Sequence, residues 1–314
     1  SREALQTDFH QFAAFYSQAS ISLGGVQDDF HNYFYTYLGD EKDSHIPPKV
    51  PFQSELELPT GSRRGQLAKW ITARQNKAFS RTAVNRVWAI IFGKPLVDPV
   101  DDIPLMGPFP PGLELLATDF SDHDYDLKRL IQIITRLDVF RISSRAAFEV
   151  TLQHERAWTV FPLVRLRPEQ VAGGIGQTAK VQTIDADVSY TVRQQQQQDI
   201  FSFVKRYGDT GEDEFEDRGG TITQRLLMMN GNFVTDRTRS SDDSNTAARI
   251  AAIAEDDTDA IEITYLCVLT RLPSETERNH FLTALHEVSP GQREQVLEDL
   301  FWTLINSTEF SWNH

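Results

Sequence analysis

FSRTAVNRVWAIIFGKPLVDPVDD (79–102) decides how this chain is read. Phe79, Ala83, Val84, Val87, Trp88 and Ile91 recur at three- and four-residue steps, the period of an amphipathic helix, and Gly93 with Pro95 supplies its stop. Arg81, Asn85 and Trp88 share one side of that helix, while Arg86 falls nearer Phe79, Ala83 and Ile90. An arginine among apolar neighbours is costly to bury unless oxygen acceptors receive its five donors. Asp98, Asp101 and Asp102 follow the helix stop and can reach back. The stretch therefore reads either as a charged brace or as a ligand or catalytic site. Its binding candidates are Arg81, Asn85, Arg86 and Trp88, and its catalytic candidates are the three aspartates. An adjacent arginine would hold both members of a carboxylate pair ionised, which argues against a proton donor and favours the brace.

The pattern spreads outward as helix. RRGQLAKWITA places Leu67, Trp70 and Ile71 on one face. LELLATDF and DLKRLIQIITRLDVF follow the rigid loop PLMGPFPPG, with Asp126 as a cap and Leu127, Leu130, Ile131, Ile134 and Leu137 as the expected buried stripe. Pro168 suits a first helical turn, and RQQQQQDIFSFVKRYG reads as a solvated glutamine turn merging into an amphipathic helix. Five further helices are expected from ITQRLLMMNG, NTAARIAAIAE, DAIEITYLCVLTR, SETERNHFLTALHEV and QREQVLEDLFWTLINSTEF, with Ser274 and Glu277 forming a capping box. Towards the N-terminus, residues 8–23 read as a helix with an aromatic face (Phe9, Phe12, Ala13, Tyr16), and residues 30–38 as strand. Pro47, Pro48, Pro51 and Pro59 mark residues 46–61 as an extended connector. The fold class is mainly α: an irregular multi-helix bundle in one large or two closely packed lobes with little strand. The expected organisation is 1–45, then the connector, then a helical domain over 62–314 with sub-lobes 62–150 and 155–314.

Composition limits the chemistry. Acidic residues outnumber basic ones 45 to 31, and the net charge of −14 disfavours phosphate backbones and anionic lipid as partners. The longest apolar runs fall short of the ~20 residues of a membrane span. Cys267 stands alone in EITYLCVLT, so the chain has no internal disulfide and no C-x-x-C-H haem attachment, and the thiol is expected to be buried. No H-E-x-x-H exists among the eight histidines, and no metal site is assigned. AGGIG (172–176) follows a helix start instead of joining a strand to one, so close helix packing or a helix break is preferred to a phosphate cradle. Six carboxylates crowd residues 209–217 without D-x-D-x-D-G order, which reads as a solvated loop and not a calcium site. Serines occur outside any G-x-S-x-G setting. The chain starts at Ser1 with no initiator methionine or signal-like segment, as a processed product or fragment would, so location is not read from it.

SRRGQLAKWITARQNKAFSRTAVNRVWAIIFGKPLVDPVDD (62–102), with LELLATDF, YDLKRLIQIITRLDVFRISS, FPLVRLRPEQV, MMNGNFV and DLFWTLINSTEFSWNH, resembles the planctomycete-specific domain of unknown function that closes large secreted proteins carrying cytochrome c-like modules. The resemblance covers roughly residues 60–314, and LQTDFHQFAAFY (5–16) is similar to the tail of its usual companion domain. It implies a helical C-terminal domain, export to the periplasm or cell exterior, and a parent protein whose haem, if any, sits in upstream modules; no cofactor is carried over to this chain. Members often have a histidine before the E-L-L segment where this chain has PFPPGLELL, which weakens any scheme using that histidine. Three functions are weighed. The preferred one is a non-catalytic structural or interaction module whose partners are other domains of the same parent or other exported proteins. The second is a polysaccharide hydrolase using Asp98, Asp101 or Asp102 beside Arg81 and Asn85. The third is glycan binding through exposed Trp158, Trp302 and Trp312.

Overall fold

Helical periodicity carries through to a mainly α chain. The computed structural model describes residues 5–22, 24–54, 56, 60–100, 102–179, 189–208, 221–239, 245–289 and 292–313. Strand among them is confined to three two-stranded antiparallel pairs. The acidic run 209–217 and Asp101 lie outside the described residues. Two compact units emerge, Ser1–Ile91 with Pro95–Leu137, and Phe92–Lys94 with Asp138–His314. The first unit takes in the first helices together with the stretches read as 1–45 and 46–61.

The first unit begins with helix α1 (Gln6–Ala13), shorter than the helix expected over 8–23. Beyond it Ser17 Oγ donates to the Ala14 carbonyl and Ser22 Oγ to that of Gly25, side-chain bonds that compete with helix. Gly25, at φ +102°, then turns the chain into the hairpin β1 (Ala19–Ser22) and β2 (Gly25–Asp28). The aromatic face is also rotated from expectation: His10, Ala14 and Phe15 are buried, while Phe9 and Tyr16 are exposed. His10 stacks on Tyr35 at 3.6 Å between ring centres, and its Nδ1 is hydrogen-bonded to the Tyr33 hydroxyl at 2.9 Å. The strand expected over 30–38 shrinks to β3 (Phe34–Tyr35), paired with β4 (Ser44–His45). Ile46 and Val50 of the proline-rich segment are buried, and Val50 joins Phe15, Leu67 and Trp70 in one core, so this part packs instead of linking.

Helix α2 (Arg63–Ile71) is capped by Ser62 and buries Leu67 and Trp70. Helix α3 (Lys77–Phe92) turns Val84, Asn85, Trp88 and Ala89 inward. Helix α4 (Pro111–Asp122) buries Leu113, Leu116, Ala117 and Phe120. In α5 (Leu127–Ile134), capped by Asp126 as expected, only Leu130 and Ile134 are buried. Leu127 and Ile131 stay 50% and 40% exposed, so the buried stripe is narrower than the sequence suggests.

In the second unit, Phe92 packs against Phe140, Trp158 and Phe161, and Gly93 turns at φ +72° beside Val164. Helix α6 (Leu152–Arg156) and strand β5 (Val164–Arg165) precede α7 (Pro168–Ala179), which starts on Pro168 and runs unbroken through the glycine cluster. A Cβ on Gly174 would lie 3.4 Å from the Phe310 ring, an ordinary van der Waals contact, so this position faces Phe310 without requiring glycine. The glutamine run lies inside α8 (Tyr190–Tyr207). There follow α9 (Ile222–Asn230), α10 (Asn232–Thr238), α11 (Thr246–Ile253), α12 (Asp257–Leu269), α13 (Glu275–His286) and α14 (Arg293–Ile305). Leu297, Leu300, Phe301, Leu304 and Ile305 make α14 the spine of the core, against which α10, α11, α12 and α13 pack. A 3-10 turn (Glu309–Ser311) leads into β6 (Trp312–Asn313), antiparallel to β5. No helix among the described residues is long and apolar enough to cross a membrane.

Two glycines should behave in opposite ways. A Cβ at Gly93 would fall 2.0 Å from Val164 Cγ2 at a φ that side chains avoid, so Gly93→Ala should cost about 2–4 kcal/mol in urea unfolding. Gly173 lies inside α7 with nothing within 4 Å of such a Cβ, so Gly173→Ala should gain about 0.4–1 kcal/mol.

Candidate functional site

The stretch 79–102 is the place to look first, and most of its polar groups are already engaged. Arg81 forms a two-pronged ion pair with Glu114 of α4, Nε to Oε1 at 2.6 Å and Nη2 to Oε2 at 3.2 Å. The guanidinium also lies over the Phe109 ring at 4.3 Å, and Nη1 donates to the Leu105 carbonyl at 3.5 Å. A flat guanidinium matched to a carboxylate fork on one edge and an aromatic face on another is held in one geometry. Its carboxylate partner among the described residues is Glu114, 33 residues on, and neither Asp98 nor Asp102.

Asn85 is fully buried at 0% exposure and spends its amide on the chain that follows its own helix. Leu96 and Val97 N–H donate to Oδ1 at 2.8 and 2.9 Å, and Nδ2 donates to the Val97 carbonyl at 2.8 Å. Three bonds from one side chain fix the reversal after Gly93. Arg86 is half-buried and engaged with at least one neighbouring group; Trp88 is 5% exposed. Asp98 and Asp102 are exposed, and neither side chain joins an ion pair among the described residues. The structure therefore gathers Arg81 and Asn85 into internal bonds and leaves two of the three candidate carboxylates at the surface.

A stronger charge network lies in the second unit. Helix α12 ends at Thr270, in the left-handed region at φ 56°, and the next residue is Arg271. Arg271 meets two carboxylates at once. Nε and Nη2 donate to Glu309 at 2.6 and 2.8 Å, and Nη1 and Nη2 donate to Glu277 at 2.9 and 2.8 Å. Glu277 is also the acid of the expected capping box, accepting the Ser274 N–H at 2.7 Å while Ser274 Oγ accepts from Glu277 N–H. One guanidinium thus ties the end of α12, the start of α13 and the 3-10 turn before β6. The hydrogen bond from Arg271 holds the Glu277 carboxyl well below its usual range, at about 2, and the hydrogen bonds that Arg271 donates to Glu309 first and Glu277 second push its own pKa further up. Burial, with the Glu277 charge as a smaller cause, pushes the neighbouring Tyr265 hydroxyl to about 12. Neither Glu277, Arg271 nor Tyr265 is poised to exchange a proton near neutrality.

This network was not found from sequence. Ser274 and Glu277 carried a local signal, but Glu309 is 38 residues from Arg271 and belongs to a turn with no pattern of its own. The tryptophans also sort differently from expectation. Trp158 packs on Phe92 at 5.2 Å, Trp302 packs against the core, and Trp312 is half-buried in β6. Cys267 is half-buried instead of sealed in, and burial raises its thiol pKa. Among the described residues, no group of three or more His, Cys, Asp or Glu side chains is placed to hold a metal ion.

Residues 63–213 match the family model PSD1, described as a protein of unknown function (DUF1553). That span covers α2 to α8, including the Arg81–Glu114 pair and the Asn85 clasp. No curated protein and no solved structure matches the chain.

Glu277 gives this network a pH signature. Its folded pKa of about 2 lies below the ordinary 4.5, so its stabilisation is present in full above pH 4.5 and fades as pH falls towards 2. Thermal melts should show Tm dropping across that window, and Glu277→Gln should start lower and lose less there.

Proposed function

We propose that this chain is a non-catalytic structural or interaction module of an exported multidomain protein. The single observation that carries the reading is the fate of the polar residues at 81–102: Arg81 is consumed by Glu114 and Phe109, and Asn85 by Leu96 and Val97. A hydrolase would need one carboxyl kept protonated and a second kept ionised at a set separation across a cleft. Asp98 and Asp102 instead sit exposed. The match of residues 63–213 to a family of unknown function supports the assignment as a domain and bears on no reaction.

The planctomycete-specific resemblance supports the finer proposal. On it, the parent protein works in the periplasm or outside the cell, any haem resides in cytochrome c-like modules upstream, and this chain carries no cofactor itself. The partners are other domains of the same parent. Residues 5–38 suit such an interface, because Ile21, Phe30 and Leu38 are 92%, 100% and 102% exposed, more apolar surface than a segment facing only water would be expected to show. The net charge of −14 supports leaving nucleic acid out.

The test separates a clasp from a catalyst. Asn85→Ala should cost about 2–4 kcal/mol in chemical unfolding, because it strands buried backbone groups at 96–97. Asp98→Asn and Asp102→Asn should move stability by no more than about 0.5 kcal/mol. The wild-type chain should release no reducing sugar from a polysaccharide panel above the buffer rate. Turnover that disappears in Asp98→Asn or Asp102→Asn would replace this reading with the hydrolase.

A further inference from the structure

The second unit contains a cavity of about 360 Å³ between α7 and the C-terminal end of α12, closed on a third side by the chain's last turn and β6. That wall is fastened twice, by the Arg271–Glu309 pair and by β6 pairing with β5, with Trp312 opposite Arg165. Its volume is at the lower end of the ~300–1,000 Å³ typical of ligand sites, enough for one or two small rings.

The lining has a definite chemical character. Phe310 and Trp312 supply flat apolar surface. Gln177, Thr178 and Thr270 supply an amide and two hydroxyls. Thr178 Oγ1 donates to the Ile175 carbonyl and keeps its acceptor capacity, while the Gln177 amide and the Thr270 hydroxyl have no side-chain hydrogen bond among the described residues. Amides and hydroxyls both donate and accept, so they suit a ligand whose own groups do both. The ionised lining residue, Glu309, is already neutralised by Arg271. Among the described residues, no lysine or arginine lines the cavity to hold an anion, and the protein's net charge of −14 opposes one.

We propose that this cavity binds a neutral saccharide unit, its apolar ring face against Phe310 and Trp312 and its hydroxyls on Gln177, Thr178 and Thr270. A pyranose ring combines a flat C–H face with a rim of groups that each donate and accept, which is the pairing this lining offers. Neither Trp158 nor Trp302 lines the cavity. The inference is independent of the structural role of residues 81–102 and would hold whether or not that stretch is a clasp.

Cys267 provides the readout, because it lines the cavity and is the single thiol of the chain. Alkylation by N-ethylmaleimide is timed at about pH 9, where a thiol with a raised pKa still reacts. Methyl β-glucopyranoside, N-acetylglucosamine and cellobiose serve as probes, with glucuronate as the anionic control. A ligand of this size is expected to bind with a Kd of about 1 mM, so one or more of the neutral probes at about 10 mM should slow alkylation roughly tenfold, and glucuronate should not. Trp312→Ala should abolish the protection. Gln177→Ala, at an exposed position that leaves the core intact, should weaken binding about five- to tenfold. Absence of protection by every neutral saccharide, equal protection by glucuronate, or full protection in Gln177→Ala would overturn the proposal.

Discussion

Arg271 is the constraint on which the second unit rests. A helix leaves four backbone carbonyls unsatisfied where it ends, and the chain must then reverse without burying them. Here the reversal is made at a left-handed Thr270, and Arg271 then grips the cap of the next helix and the last turn of the chain together. Losing either carboxylate would leave the guanidinium, about a third exposed, with one of its two ion-pair partners. Other arginines repeat the device. Arg293 joins Asp257 and the Ala251 carbonyl, Arg225 reaches the Asn306 carbonyl and Thr308, and Arg165 bonds Gln224 and the Tyr207 hydroxyl. Each guanidinium spans elements that apolar packing alone would leave free to slide.

The same physics bears on function. A carboxylate beside an arginine is stabilised in its ionised form, as the lowered Glu277 and Asp119 carboxyls show, the latter through its hydrogen bonds from Arg129. Such groups are poor proton donors at neutral pH, so a chain that spends its arginines this way is suited to holding shape. Arg81 with Glu114 and Asn85 with residues 96–97 do for the first unit what Arg271 does for the second.

Much of the fold was legible because its signals are local. Helix periods, the Asp126 cap, the Ser274–Glu277 box, Pro168 at a first turn and Gly93 at a stop all act within a few residues. What escaped depends on distance. The hairpin at 19–28 needed serine side chains to outbid helix, and α10 is seven residues long and follows α9 after Gly231 alone, too short for a period to register. Glu114 and Glu309 lie 33 and 38 residues from the arginines they meet, and the wall formed by Phe310 and Trp312 exists only once the last turn is folded back. Chemistry assembled from remote segments leaves no spacing to read.

These guanidiniums act as couplers between elements, and a double-mutant cycle on Arg271 and Glu309 measures that coupling itself. Unfolding free energies of Arg271→Ala, Glu309→Ala and the double variant at neutral pH should give an interaction energy of about 1–3 kcal/mol, the double variant losing less than the two single losses combined. Losses that add to within about 0.3 kcal/mol would mean that the pair holds nothing together and would contradict the account.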